Sequence, residues 1–319
     1  MKRVGVDVGG TFTDLILVDE EEGRVMVHKV PTTPEDPSQG TLRGIEEICK
    51  KAGLSLTEID QLFHGTTIST NILLEYNGAR VGAITTQGFR DTLHIARHRK
   101  PYNFSLYQDI PWQVRPIVQR RHRLTVAERV APPDGEVLTP LDEDEVRQAV
   151  RRLKAEKVEA VAICFLFSFL NPIHEQKVRA ILQEEFPAAY LSLRSEVAPM
   201  FREYESFSTT AINAYLGPKV SSYIEQLAMT LKEKGIPCEL RLMQSQGGVA
   251  TTEAAGERPV SILMSGPVAG LIGGIWTGKL AGFPNVITLD VGGTSADIGV
   301  APRGETRMRH ILDSISGGY

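Results

Sequence analysis

Residues 3–14 read RVGVDVGGTFTD and residues 286–297 read VITLDVGGTSAD. Aligned at Asp7 and Asp290, the two segments share Asp-Val-Gly-Gly-Thr and then a further aspartate, Asp14 or Asp297. Each is led by an apolar, strand-like run and followed by another, LILV after the first and IGVA after the second. Both therefore read as strand–tight turn–strand hairpins, with Gly-Gly at the turn because glycine accepts positive φ without a Cβ clash. A hairpin of this composition can hold phosphate. The glycines, Gly9 and Gly10 or Gly292 and Gly293, let an anion come close enough for backbone N–H groups to point at its oxygens. The hydroxyls of Thr11, Thr13 and Thr294 add donors. Asp7 and Asp290 are the candidate catalytic carboxylates: they can hold a hydrated Mg²⁺, which prefers one or two carboxylates together with retained water and phosphate, or orient a water. A single copy would pass for an ordinary glycine turn; two nearly identical copies, each after a buried-type strand, point to a paired nucleotide clamp. The expectation is one hairpin per domain, the two facing each other across a cleft. The G-x-G-x-x-G dinucleotide fingerprint is absent from both turns, and so is the G-x-x-x-x-G-K-[ST] loop.

The composition narrows the partners. With 319 residues and 42% hydrophobic content the chain can bury a sizeable core, and its length suits two domains. A formal net charge of −4 with 23% charged residues leaves no basic excess for a nucleic-acid footprint. Cys49, Cys164 and Cys238 are far apart with no C-x-x-C spacing, which argues against a disulfide framework or a thiolate metal site and suits a reducing cytoplasm. Met1-Lys2-Arg3 leads straight into a strand-like run, so no secretory leader is expected. The most apolar stretch, Val158 to Leu170, contains Glu159 and is too short for a membrane helix, which needs roughly 20 residues.

Between the two hairpins, helical and strand patterns alternate. Helices are predicted over Ser38–Lys51, Ile68–Asn77, Asp142–Lys157 and His174–Phe186, and strands over Leu62–Gly65, Arg80–Thr86, Val158–Phe169 and Leu240–Gln244. Tyr204 to Lys234 reads as a long helical region interrupted near Gly217-Pro218, and Ser265-Gly266-Pro267 opens a Gly/Ala-rich helix running to about Leu280. Arg97 to Arg123, rich in Arg and Pro with Tyr102, Phe104, Tyr107 and Trp112, reads as an irregular insertion facing substrate or another subunit. This is the rhythm of a mixed α/β sheet protein, with a boundary near residues 190–204.

Paired phosphate hairpins resemble the actin/hexokinase/heat-shock-chaperone ATPase superfamily. The succession DVGGTFTD (7–14), HGTTISTN (64–71), ITTQGFRD (84–91), SEVAPMFREYESFSTTAINAYLGP (195–218), QSQGG (244–248), SGPVAG (265–270) and DVGGTSAD (290–297) is similar to the signature segments of the hydantoinase A/5-oxoprolinase family, in the family's order and over nearly the whole chain. The resemblance implies two ribonuclease-H-like (actin-like ATPase) domains with mixed sheets, residues 1–195 and 196–319, the second incomplete. It implies ATP-dependent hydrolytic opening of a cyclic amide such as a hydantoin or 5-oxoproline, with ATP phosphorylating an unreactive amide oxygen and water completing the reaction. ATP and Mg²⁺ are the implied cofactors, and a hydantoinase B-type subunit or domain the implied partner, in a homo- or hetero-oligomer. Some relatives are instead ATP-using subunits of acetone or acetophenone carboxylases. A non-hydrolase ATPase or small-molecule kinase of the same fold is the alternative from another class.

Position by position, Asp7, Gly9, Gly10, Thr11, Thr13 and Asp14 match the first phosphate loop, and Asp290, Gly292, Gly293, Thr294 and Asp297 the second; Ser295-Ala296 costs the second loop one hydroxyl. Relatives continue through a glycine-rich segment and a later adenosine loop that the chain lacks, so the resemblance also implies that it is inactive alone. His64, Thr66 and Thr67 are candidate substrate- or phosphate-facing residues, the competing reading being a helix N-cap by Thr66 or Thr67. Ser265 and Gly266 open a helix whose N-terminus could face phosphate or substrate, or form a plain N-cap with proline in the first turn. His94 and His98 have metal-like helical spacing without an accompanying acid, and a basic surface face is the expected reading. Arg202, Glu203 and Glu205 are open between catalysis, capping and ion pairing.

Overall fold

A computed structural model of the chain describes residues 1–33, 36–97, 110–291 and 296–306. From the N terminus the described elements are β1 (Lys2–Val8), β2 (Phe12–Asp19), β3 (Arg24–Pro31), α1 (Pro37–Ala52), β4 (Gln61–Thr66), α2 (Ile68–Leu74), β5 (Val81–Thr86), α3 (Thr92–Ile95), α4 (Pro111–Val114), β6 (Arg123–Val126), β7 (Arg129–Ala131), β8 (Glu136–Thr139), α5 (Glu143–Ala155), β9 (Ala160–Cys164), α6 (Ile173–Glu185), β10 (Tyr190–Leu193), α7 (Arg194–Val197), α8 (Glu203–Glu233), β11 (Leu240–Met243), β12 (Val249–Ala250), α9 (Thr252–Glu257), α10 (Ser265–Leu280), β13 (Val286–Val291) and β14 (Ala296–Ala301). The protein is mixed α/β, as the sequence indicates. Its two compact units are not consecutive halves: one takes residues 1–76 and, among the described residues, 220–306, while the other takes Asn77–Lys219.

In the first unit a six-stranded sheet runs β12-β11-β4-β1-β2-β3. Strands β1, β2 and β3 form antiparallel hairpins, and β4 and β11 join in parallel. The strict alternation along β2, with Thr13, Leu15, Leu17 and Asp19 buried and Phe12, Asp14 and Ile16 exposed, makes one face core and leaves the other open. Helix α1 covers the core face, laying Ile45 and Ile48 against the sheet, and Gly44 lets its backbone approach Leu15 and Val30. Its N-terminus is capped by the Asp36 carboxylate, and Gly53 in the left-handed region closes its C-terminus.

Both repeat hairpins lie in this unit, rather than one in each. The reason is α10, which packs on β4 and β11 and on both strands of the β13–β14 hairpin. Gly274 and Gly278 bring its backbone against Thr288 and Val286. The opposite face of that hairpin carries Ile287, Leu289, Val291, Ile298 and Val300, all exposed.

In the second unit the parallel sheet β10-β9-β5-β6 is packed by α5 and α6 through Val146, Val150, Leu153, Val178 and Leu182. Asp142 caps α5, accepting from the Glu145 N–H, and acidic residues fill its first turn. Arg194, fully buried, donates to Ser206 Oγ and to the carbonyls of Phe165 and Met200.

Two elements depart from expectation. The strand expected over Val158–Phe169 holds only over Ala160–Cys164, and the chain turns over 166–170. Helix α8 runs through Pro218 without the interruption predicted at Gly217-Pro218. Burial overrides propensity here: Tyr215, Leu216 and Val220 are buried, and Gly217 lies so close against the Tyr190 ring that a Cβ would overlap it. The 98–109 part of the predicted insertion lies outside the described residues, as does His98. No helix among the described residues is long and apolar enough to cross a membrane.

The two faces of β2–β3 predict contrasting mutants. Leu17→Ala, at a fully buried position, should cost about 2–5 kcal/mol in urea-unfolding stability. Val27→Ala, at a residue 78% exposed, should stay within about 0.5 kcal/mol. Equal losses would contradict the assignment of the faces.

Candidate functional site: two carboxylate pairs

The register of the hairpins explains why the repeated motif keeps its second aspartate. Asp7 of β1 lies directly opposite Asp14 of β2, and Asp290 of β13 directly opposite Asp297 of β14. Each copy therefore sets two carboxylates side by side next to its glycine turn. Two unit charges about 5 Å apart repel by about 3 kcal/mol at an effective dielectric of 20, whereas a favourable cross-strand pair returns only about 0.2–1 kcal/mol. Solvent screens the half-exposed Asp14, and Lys29 pairs with it, but each carboxylate pair taken by itself opposes folding, and the motif imposes it twice.

Asp7 is the most enclosed of the four. Its neighbour across β4 is Gly65, and a Cβ there would stand 3.0 Å from Asp7 Oδ1. A Cβ at Gly266, in the first turn of α10, would stand 3.3 Å from the same oxygen. The two glycines thus leave the space the carboxylate fills. Asp7 Oδ1 is buried with no hydrogen-bond partner among the described residues. Burial pushes its pKa up, Asp290 and then Asp14 push it further, and Lys29 opposes them. Asp297 is likewise raised, by burial and by Asp290. The charge of Asp290 thus acts on Asp7 from the other hairpin.

The turn of the first hairpin is pinned by a residue that motif reading overlooked. Thr32 donates its hydroxyl to the Gly9 carbonyl (2.9 Å) and its N–H to the Thr11 carbonyl (3.0 Å). Gly9 N–H closes the turn on the Phe12 carbonyl (3.0 Å), leaving Gly10 and Thr11 exposed. Thr13 is buried on the α1 face, its hydroxyl 3.0 Å from that of Thr32, so the structure does not present it beside Gly10 and Thr11. Gly292, Gly293 and Thr294 lie outside the described residues.

The HGTT segment supports the site from behind. His64 is buried, its Nε2 2.9 Å from the Tyr223 hydroxyl, and burial lowers its pKa to about 4. It stands on the face of β4 opposite Gly65, turned away from Asp7. Thr66 Oγ1 accepts from the Ile68 N–H at the start of α2, the capping alternative. Thr67 donates to the Val8 carbonyl. The Ser265 hydroxyl donates to the Thr66 carbonyl and accepts from the Thr66 N–H, tying α10 to the end of β4. Met264, in the left-handed region, precedes α10 and supplies no side-chain cap. Ser265 is thus a brace, while Gly266 borders Asp7 directly.

Lys29 is the other residue missed by motif reading. It stands opposite Asp14 on β3, 2.8 Å from Oδ1 and 2.9 Å from Oδ2, with its ammonium 5.1 Å from the centre of the Phe12 ring. Counting register from the Gly23 turn would have found it. A cavity of about 650 Å³ adjoins this row, lined by Asp7, Asp14 and Lys29 at one end and by Ile16, Val27 and Phe63 at the other. No group of three or more His, Cys, Asp or Glu among the described residues could cage a metal. Paired carboxylates with an unpartnered buried oxygen do fit a hydrated Mg²⁺, which draws its remaining ligands from water and phosphate. His94 contributes its carbonyl, to Trp112 and Gln113. Glu205 is ion-paired with Arg97 (2.7 Å), and Glu203 lies 4.0 Å from Arg194.

Comparison with known proteins agrees with this architecture. The model of the hydantoinase/oxoprolinase N-terminal region matches residues 3–186, and that of hydantoinase/oxoprolinase matches residues 206–316. The chain is 40% identical over 297 residues to an uncharacterised protein of Methanocaldococcus jannaschii, covering 92% of this chain and 42% of that protein. It is 36% identical over 310 residues to the alpha subunit of caprolactamase from Pseudomonas jessenii, covering 96% of this chain and 44% of the subunit. Among solved structures, nucleotide-free acetone carboxylase, an ATP-dependent enzyme, superposes with a TM-score of 0.85 at 27% identity, over 96% of this chain and 45% of the other. The chain therefore spans less than half the length of these relatives.

The raised pKa of Asp7 gives a signed stability prediction. A carboxyl whose folded pKa exceeds its unfolded value contributes stability below the unfolded pKa, near 3.9, and loses it as pH rises through the folded pKa. Asp7→Asn cannot ionise, so it should melt above the wild type at pH 7–8, with the difference shrinking toward pH 4. An Asp7→Asn protein less stable than wild type at pH 8 would contradict the electrostatic account.

Proposed function

The chain belongs to the hydantoinase/oxoprolinase family, and from that premise we propose that it supplies the ATP-phosphate-binding part of an enzyme that opens a cyclic amide by hydrolysis. The observation that carries this reading is the doubled carboxylate pair, Asp7/Asp14 and Asp290/Asp297, in a repeated Asp-Val-Gly-Gly-Thr motif, with one buried Asp7 oxygen left unpartnered among the described residues. In this reading the backbone of Gly9 and Gly10, Thr11 and their counterparts Gly292, Gly293 and Thr294 receive the phosphates. Asp7 and Asp290 hold Mg²⁺ through water, with Asp14 and Asp297 beside them. Bound Mg·ATP would supply a phosphoryl group to the amide oxygen, turning a poor leaving group into a good one and neutralising the transferred charge. The chain's own part is positional: the two hairpins fix the polyphosphate, and the Gly266 end of α10 keeps the surroundings of Asp7 tight.

The substrate proposed is a lactam or hydantoin-type ring, in keeping with the caprolactamase relative. A hydantoinase B-type polypeptide is the proposed partner, since that relative is one subunit of its enzyme. The cytoplasm is the proposed location, and residues 1–195 and 196–319 the proposed evolutionary domains. A second reading is favoured by the acetone carboxylase superposition: an ATP-using carboxylase subunit. Dependence of ATP turnover on bicarbonate rather than on a lactam separates the two.

The test is calorimetric titration of the chain with Mg·ATP. The wild type should bind and Asp7→Ala should lose binding by at least about ten-fold, the scale of one charge-assisted contact. Equal binding by both proteins would remove Asp7 from the site.

A further inference from the structure

The carboxylate row raises a question that the nucleotide reading leaves open. Asp7 and Asp14 are equivalent in register, yet two adjacent carboxylates cannot both face one cation without a counter-charge while that cation is away. The sheet supplies the answer in its next strand. Across β4-β1-β2-β3 one row runs Gly65, Asp7, Asp14, Lys29. Lys29 grips both oxygens of Asp14, at 2.8 and 2.9 Å, and its ammonium lies 5.1 Å from the ring centre of Phe12, the residue that follows the exposed Gly10 and Thr11 in the chain. Among the described residues Asp7 has no such partner, and its buried Oδ1 accepts no hydrogen bond. Both members of the Lys29–Asp14 pair are about half exposed, so the pair is held loosely enough for the ammonium to move.

We infer that Lys29 is a further positioning residue of the first loop: it neutralises Asp14, leaving Asp7 as the metal-facing carboxylate, and turns its ammonium to the polyphosphate that arrives with the metal. A flexible, compact point charge suits that double duty, since lysine binds phosphate through any of three rotatable donors. The second hairpin has no equivalent among the described residues, because β14 pairs only with β13 and no third strand stands beside Asp297. Among the described residues, then, only the first hairpin carries a counter-ion of its own.

This inference rests on the nucleotide reading above, and its test separates the two. Mn²⁺ alone, followed by electron paramagnetic resonance, and Mg·ATP, followed by calorimetry, are titrated into the wild-type chain, Lys29→Met and Lys29→Arg. Lys29→Met exposes the carboxylates to the bare cation and removes a phosphate contact. Its Mn²⁺ affinity should rise a few-fold, while its Mg·ATP affinity falls on the order of ten-fold; Lys29→Arg should restore Mg·ATP binding in large part. Opposite movements of the two affinities cannot come from a merely structural lysine, whose loss would lower both together or neither. Unchanged Mg·ATP binding in Lys29→Met, or a parallel fall in both affinities, overturns the role of Lys29 and leaves the nucleotide reading intact. A folded wild type that binds neither Mn²⁺ nor Mg·ATP overturns both.

Discussion

Two aspartates placed opposite each other across an antiparallel ladder are the constraint from which the rest of the site follows. Antiparallel register admits no compromise: shifting β2 by one residue against β1 would carry Asp14 to the core face and Leu15 into solvent. The apolar alternation that builds the core therefore also forces the carboxylates together. The same geometry recurs at Asp290 and Asp297. Like charges kept side by side in both copies of the motif answer a requirement other than stability, and in the proposed reading a divalent cation with its phosphates meets it.

Around this constraint the chain arranges small residues and braces. Gly65 and Gly266 leave space for Asp7 that any side chain would take. Thr32 pins the turn, Ser265 ties the first turn of α10 to β4, and Thr67 ties the next segment to the end of β1. None of these need touch a ligand; each fixes a backbone whose N–H groups or carboxylates do so in the proposed reading. The preorganisation lies in hydrogen bonds between elements distant in sequence, as in the link from Ser265 to Thr66.

The sequence makes the hairpins, most element spans and the family legible because they are local: a strand, two glycines and a second strand announce themselves within a dozen residues. What it hides is direction. Thr13 stands in the motif like Thr11, yet the pleat turns it into the core, which a count of alternation from Leu15 reveals and motif matching does not. His64 has the look of a catalytic histidine, but whether it faces Asp7 or Tyr223 depends on which side of β4 the rest of the unit covers. Lys29 belongs to no motif and enters only through the pairing of β2 with β3. Pro218 is disfavoured in a helix by local rules, and the buried side chains on either side of it hold the helix together. The placement of both hairpins in one unit depends on the packing of α10, which nothing local encodes.

Whether the two hairpins serve one cation, as proposed, is decided by a double-mutant cycle. Mn²⁺ affinity in the presence of ADP is measured for the wild type, Asp7→Asn, Asp290→Asn and the double variant. Residues acting on one shared ion are strongly non-additive, so either single variant should lose most of the affinity and the double variant little more. Losses that simply add would mean that Asp7 and Asp290 act on separate sites, and the account of a joint carboxylate centre would fail.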